Sequence, residues 1–252
     1  MTQAPATVIG SPISPYARKV FAMCALKGIE FEIDPLIAFF GDDRFTKLSP
    51  VRRIPVYRDE RVTLCDSSVI CQYLEDAHPT PPLYPKDIEQ RAQARWLEEF
   101  ADTRMGDVFA WKIFQAAVID PGVWNRPRDK AALEAAVTTE LPPVMDYLEE
   151  WAPAHGYIFG DISIADISIV PYFANLSWAR VEPDANRWPK TTAWVKRLRD
   201  EDAFARFEKM AAPLVRTQIT EHRRVLAEMG VKLTAETHMT RTEPRRGPLT
   251  VR

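Results

Sequence analysis

The chain has 252 residues, 46% of them hydrophobic and 27% charged, and its 33 basic and 35 acidic side chains leave a formal net charge of −2. That length and apolar content belong to a globular protein with one large domain or two ordinary ones, and the balanced charge argues against nucleic acid or anionic membrane as the main partner. No apolar stretch approaches the ~20 residues of a membrane span, and the opening MTQAPATVIG lacks the basic region and apolar run of a signal peptide, so a cytoplasmic protein is expected. Cys24, Cys65 and Cys71 cannot all pair and have no zinc or redox spacing, so they read as small core hydrophobes and no metal is expected.

In chain order, Ala6 to Gly10 reads as a short buried strand, Ser11-Pro12-Ile13-Ser14 as a turn, and Pro15 to Gly28 as a helix. Proline suits the first helical turn and glycine the left-handed stop; between them Ala17, Val20, Phe21, Cys24 and Ala25 share one face. Ile29 to Leu36 follows as a second strand, and FFGDDRFTKL as an irregular stretch with a short helix. Two β-like runs, Ile54 to Arg58 and Arg61 to Cys65, then precede a helix capped by Asp66 or Ser67. This order gives a compact α/β domain over residues 1–78. The proline-rich HPTPPLYPKD marks a linker at 79–86. Residues 87–229 read as all helical, in runs from Asp87 to Ile119, Arg128 to Trp151, Ser163 to Ala179, Lys190 to Asp200 and Ala203 to Met229. Residues 230–252 have no aromatic side chain and little periodicity, and read as a solvated, partly disordered tail or as a dimer arm.

Three short motifs could carry chemistry. Ser11-Pro12-Ile13-Ser14 has the form of a redox C-P-x-C with serine at both cysteine positions, so it cannot exchange a disulfide. It can place a hydroxyl and backbone N–H groups at the positive end of a helix, where a phosphate, carboxylate or thiolate is stabilised. Ile54-Pro55 is a candidate cis bond opening a strand, which would leave the Ile54 backbone free to pair with an extended peptide. Asp66-Ser67 enters a helix from a strand and offers a carboxylate beside an anion site, suited to a ligand bearing both an ammonium and a carboxylate.

The succession SPISPYARKV, SPVRRIPV and DSSVICQYLED, followed by a proline-rich linker and a helical domain, resembles the cytosolic glutathione transferase family over residues 6 to 228. Within GDISIADISI, Ser163 and Asp166 match the S-x-x-D capping box of that family's helical domain. The resemblance implies a thioredoxin-like N-terminal domain, an all-α C-terminal domain, glutathione as co-substrate, a small hydrophobic electrophile and a homodimer. Ser11 matches the residue that serine-type theta- and zeta-like and cysteine-bearing omega-like members place at the glutathione sulfur. Pro55 matches the family's cis-proline, Ile54 the residue pairing with the cysteinyl unit, Asp66 and Ser67 the pair holding the γ-glutamyl end, and Arg53 more loosely a position near the glycyl end. The turn lacks the cysteine of the zeta pattern, so maleylacetoacetate isomerisation is not inferred. Met105, Phe109 and Trp111, with Phe39 or Phe40 opposite, are candidates for the second-substrate pocket, or plain core. The expected reaction is glutathione S-transfer. The rivals are a non-enzymatic binding protein on the same fold and a glutathione-dependent peroxidase or dehalogenase.

Overall fold

A computed structural model describes residues 5–248. The chain forms two units, one built up to Pro81 and again from Arg206 onward, the other from Pro82–Ala205.

In the first unit β1 (Ala6–Ile9) pairs in parallel with β2 (Phe31–Asp34), and α1 (Pro15–Leu26) connects them. A short α2 (Asp43–Leu48) leads to β3 (Val56–Arg58), antiparallel to β1, and β4 (Thr63–Cys65) pairs with β3 before α3 (Ser67–Ala77). The sheet order is β2-β1-β3-β4. Val8 and Ile9 are buried because β1 lies inside this sheet, which explains a continuous apolar run where an exposed strand would alternate. Ala17, Val20, Phe21 and Cys24 of α1 are wholly buried, Ser14 caps the helix and Gly28 ends it at φ +66°. The second strand is shorter than Ile29 to Leu36 because Pro35 has no N–H to pair. The hairpin strands are shorter too: Pro55 cannot extend β3, and the Asp59 carboxylate takes the Arg61 and Val62 N–H groups into the turn.

The second unit is helical. Ile88–Phe100 runs on into a wider, π-type helix, Ala101–Ile119, and an unbroken helical run from Lys130 to Trp151 follows. Ile164–Ile169, Pro171–Trp178 and Pro189–Arg199 come next. Asp166, with no exposed surface, binds the unit together: its carboxylate accepts from Ser163 N (3.0 Å), Ser163 Oγ (2.9 Å), Ile158 N (3.3 Å) and Trp194 Nε1 (3.1 Å). Burial pushes this carboxyl up, and the hydrogen bonds act against the push.

Two expectations for the C-terminal part are corrected. The single helix from Ala203 to Met229 is divided into Asp202–Ala211, a 3-10 segment Ala212–Arg216 and His222–Glu228, because Pro213 cannot continue the α-helical ladder. The tail is not solvated coil over its described residues, of which 249–252 are not part. Ile33 donates to the Lys232 carbonyl (2.9 Å) and Thr234 to the Ile33 carbonyl (3.2 Å), a parallel bridge on the outer edge of β2. An edge strand has unpaired backbone groups, so a polar segment without hydrophobic periodicity can still dock on it.

His222 is buried, its Nε2 lies 3.1 Å from the Thr217 carbonyl, and burial holds its pKa below the usual histidine value. A depressed folded-state pKa means that the unfolded chain takes up the proton first, so stability present above about pH 6.5 is lost as the pH falls below it. Thermal melts from pH 7.5 to 5.5 are expected to show a smaller drop in Tm for His222→Gln than for the native chain; parallel curves would remove His222 as the cause.

Candidate functional site

The turn after β1 is closed by Ser14 N–H donating to the Ser11 carbonyl at 3.0 Å, and Gly10 N–H donates to the Asp34 carbonyl at 2.8 Å. Ser11 is almost fully buried and its Oγ accepts from Ile13 N (3.3 Å), which leaves the hydroxyl proton to be donated elsewhere. Ser14 Oγ accepts from Ala17 N (3.3 Å) as the cap of α1. Arg18 clasps the turn from below, its Nη1 donating to the carbonyls of Pro12 (2.6 Å) and Ile13 (2.9 Å).

Two lysines fix the direction of α3 beside α1. Lys19, in the first half of α1, donates from Nζ to Ser68 Oγ in the first turn of α3 (2.9 Å). Lys27, just past the end of α1, pairs with Glu75 (2.8 Å) and donates to the His78 carbonyl (2.6 Å) at the far end of α3. The helices therefore run side by side in the same direction, with both positive ends together and the Lys19 ammonium near them. Ser11 precedes one N-terminus and Ser67 opens the other, so the structure brings these two hydroxyls to the same end of the unit.

Ile54-Pro55 is cis. A Cβ built on Gly10 would lie at ordinary contact distance from this dipeptide, 3.5 Å from Ile54 Cβ and 3.5 Å from Pro55 Cα, so the dipeptide borders the same turn, and the tightest approach is 3.2 Å to Ala17 Cβ on α1. Arg52 has φ +54°, and its guanidinium donates to the carbonyls of Gly41 (2.8 Å) and Ala38 (3.3 Å) and to Thr46 Oγ1 (2.5 Å). Arg53, exposed beyond it, is fastened at both backbone groups by Ser49 Oγ. Asp66 caps α3, its Oδ1 accepting from Ser68 N (3.0 Å) and Val69 N (3.2 Å), while its backbone stands at φ +78°. A non-glycine residue there costs about 1–3 kcal/mol, a type of strain that collects at ligand sites.

The pocket candidates are not assembled in this way. Met105 and Phe109 have no exposed surface, and Phe109 meets Phe173 edge-on at 5.7 Å inside the second unit. They are core of that unit, so of the two readings for Met105 and Phe109 the plain-core one holds and the pocket one is set aside. Trp111 is half-buried on the same helix, and Phe39 and Phe40, on a 3-10 turn of the first unit, keep only an edge exposed.

Sequence reasoning passed over Gly10, Arg18, Lys19 and Asp34. A signal for two of them was present: Arg18 and Lys19 fall in the N-terminal half of a helix with no acid in its first turn, where cations oppose the helix dipole and need another reason to be there. Cys24 and Cys65 are inert by placement, since burial pushes the Cys24 thiol up to about 12 and raises Cys65 as well. Among the described residues no cluster of three or more His, Cys, Asp or Glu could hold a metal ion, and no helix is long and apolar enough to cross a membrane.

A parallel-antiparallel four-stranded sheet with a cis-proline beside the first helix, joined in one chain to a helical unit, defines a thioredoxin-like protein with a separate α-domain. Residues 8–82 match the family model described as the N-terminal domain of glutathione S-transferase. The chain is similar to maleylacetoacetate isomerase of Mus musculus, at 25% identity over 71% of this chain and 81% of that protein. It is similar also to glutathione S-transferase Z1 of Arabidopsis thaliana, at 37% identity over 30% of this chain and 36% of that one. In fold it matches a glutathione S-transferase from Sinorhizobium meliloti, with a TM-score of 0.75, 22% identity, and coverage of 88% of this chain and 99% of that one. The family model places the N-terminal domain of glutathione S-transferase over residues 8–82, and these likenesses support a glutathione S-transferase-type protein.

Proposed function

We propose that the protein binds glutathione on its first unit and activates the thiol for attack on a small apolar electrophile. The carrying observation is that the N-termini of α1 and α3 point the same way side by side, with Ser11 and Ser67 at that end. In this reading Ser11 donates its hydroxyl proton as a hydrogen bond to the thiolate, and the positive helix end adds to the stabilisation. The Ile54 backbone, held beside the turn by Pro55, pairs with the cysteinyl unit. Asp66 accepts from the γ-glutamyl ammonium, Ser67 and the amides of α3 hold its carboxylate, and Arg53 faces the glycyl carboxylate. Ser11 acts as a hydrogen-bond donor and not as a nucleophile. A cytoplasmic location and a homodimer belong to the same reading, by likeness to the family.

Isothermal calorimetry with glutathione tests this, with dissociation in the micromolar to low millimolar range expected. No heat at millimolar ligand would favour a non-enzymatic member of the fold. Conjugation to a panel of electrophiles, run beside peroxide reduction and dehalogenation, then identifies the reaction.

The likeness to the mouse isomerase supports a second reading, in which the thiolate adds to a conjugated cis double bond, the resulting single bond rotates and glutathione is expelled again. The turn holds Ile13 and no cysteine, so any such chemistry here rests on the glutathione thiolate. Turnover of maleylacetoacetate without net loss of glutathione would select this reading.

A further inference from the structure

We propose that the C-terminal segment from Lys232 to Arg245 is a positioning element of the ligand site. This rests on the glutathione reading for what is bound. Asp34 is the hub. Its buried carboxylate accepts from Thr237 Oγ1 (2.6 Å), His238 N (2.8 Å) and His238 Nδ1 (2.8 Å), while its carbonyl accepts the N–H of Gly10, the residue before Ser11. The strap is thus bonded to the same residue that holds the end of β1 at the site.

A second connection runs through the loop between β2 and α2. Asp42 N–H donates to the His238 carbonyl (3.0 Å), Arg245 N–H to the Phe39 carbonyl (2.7 Å) and Arg241 N–H to the Phe40 carbonyl (3.3 Å). Arg52 grips that loop from inside through the Ala38 and Gly41 carbonyls, and it directly precedes Arg53, Ile54 and Pro55. The strap and Arg52 therefore clamp one loop from two sides.

The third connection is apolar. Met239 bridges to Gly41 and packs on the cluster of Ile9, Leu36, Phe45 and Val56, against which Ile54 also rests. Ile9 ends β1 beneath the Ser11 turn, and Val56 begins β3 just after Pro55. Each of the two segments that would hold the cysteinyl part of glutathione has a strap residue behind it.

Full-length Thr237→Val, isosteric but without the donor, is the decisive variant, with Thr237→Ser as its conservative partner and a chain ending at Val231 as the extreme case. Displacement of site groups by a fraction of an ångström to 1 Å is costly for bound geometry, so glutathione affinity and kcat/KM are expected to fall about tenfold in Thr237→Val and further in the truncation. Thr237→Ser should keep native values. In hydrogen exchange of the free protein, the amides of Gly10, Asp42, Arg52 and Arg53 should exchange faster in Thr237→Val than in the native chain. A lowered Tm with native affinity and native exchange at these amides would reduce the strap to a structural tail and overturn the proposal. If the native protein fails to bind glutathione, the transferase reading falls, and the exchange comparison alone still decides the strap: unchanged rates overturn it, faster rates sustain its hold on the Ser11 turn and the Arg52 loop.

Discussion

Ser11→Ala is expected to lower kcat/KM for glutathione conjugation at pH 7 by one to two decades while leaving the fold intact. A hydrogen bond to a charged group is worth roughly 1.5–3 kcal/mol, and each 1.36 kcal/mol is about a factor of ten in rate. The Ser11 hydroxyl already accepts from Ile13 N, so its proton is directed away from the turn and its donor strength is raised by the bond it accepts. The defect should shrink as the pH rises past the ordinary thiol range near about 8.5, because the thiolate then forms without help. Ser14→Ala should behave differently: its Oγ caps α1 through Ala17 N, so the expected loss is about 1 kcal/mol of stability with the pH–rate profile in place. A profile shifted by Ser14→Ala and unmoved by Ser11→Ala would reverse the assignment.

The largest stability effect is expected at Asp166. Asp166→Ala would leave the Ser163 and Ile158 N–H groups, the Ser163 hydroxyl and Trp194 Nε1 without their acceptor inside a closed core. A buried donor left without its acceptor costs about 1–3 kcal/mol, so losing the acceptor of several donors together is a large share of the stability of an ordinary domain. Asp166→Asn keeps one acceptor oxygen and should cost less. Urea titrations followed by tryptophan fluorescence measure both, since Trp194 sits on the network; a loss below about 1 kcal/mol for Asp166→Ala would mean that the box does not hold the unit.

Much of the first unit could be read from the sequence because local signals agreed with one another there. Proline at the start of α1, glycine at its end, one buried face between them, and Asp66 before α3 each state a boundary in residue chemistry. Strand ends were overdrawn at Pro35 and Pro55, where a missing N–H stops pairing before the apolar pattern stops. The strap was illegible for a different reason. Its hold on the unit is made by backbone groups along the β2 edge and by Thr237 and His238 on a distant aspartate, and neither leaves a hydrophobic period. At the candidate site, the proposed contacts Ser11, Ile54, Pro55, Asp66 and Ser67 stand out in the sequence as short motifs. The lysines that fix the relative direction of α1 and α3 were not, because a buried lysine between two helices looks in sequence like any surface charge. Aromatics and methionine at helical spacing leave pocket and core open in the sequence, and burial decides for core at Met105 and Phe109, which serve the interior of their own unit.

The most direct test of glutathione activation at Ser11 is the thiol pKa of the bound peptide, followed by thiolate ultraviolet absorbance as the pH of the native complex and of the Ser11→Ala complex is raised. The expected result is a pKa in the native complex at least one unit below that of free glutathione, returning toward the free value in Ser11→Ala, as loss of a bond of about 1.4 kcal/mol or more requires. A native complex whose thiol titrates like free glutathione, or two complexes with equal pKa values, would contradict it.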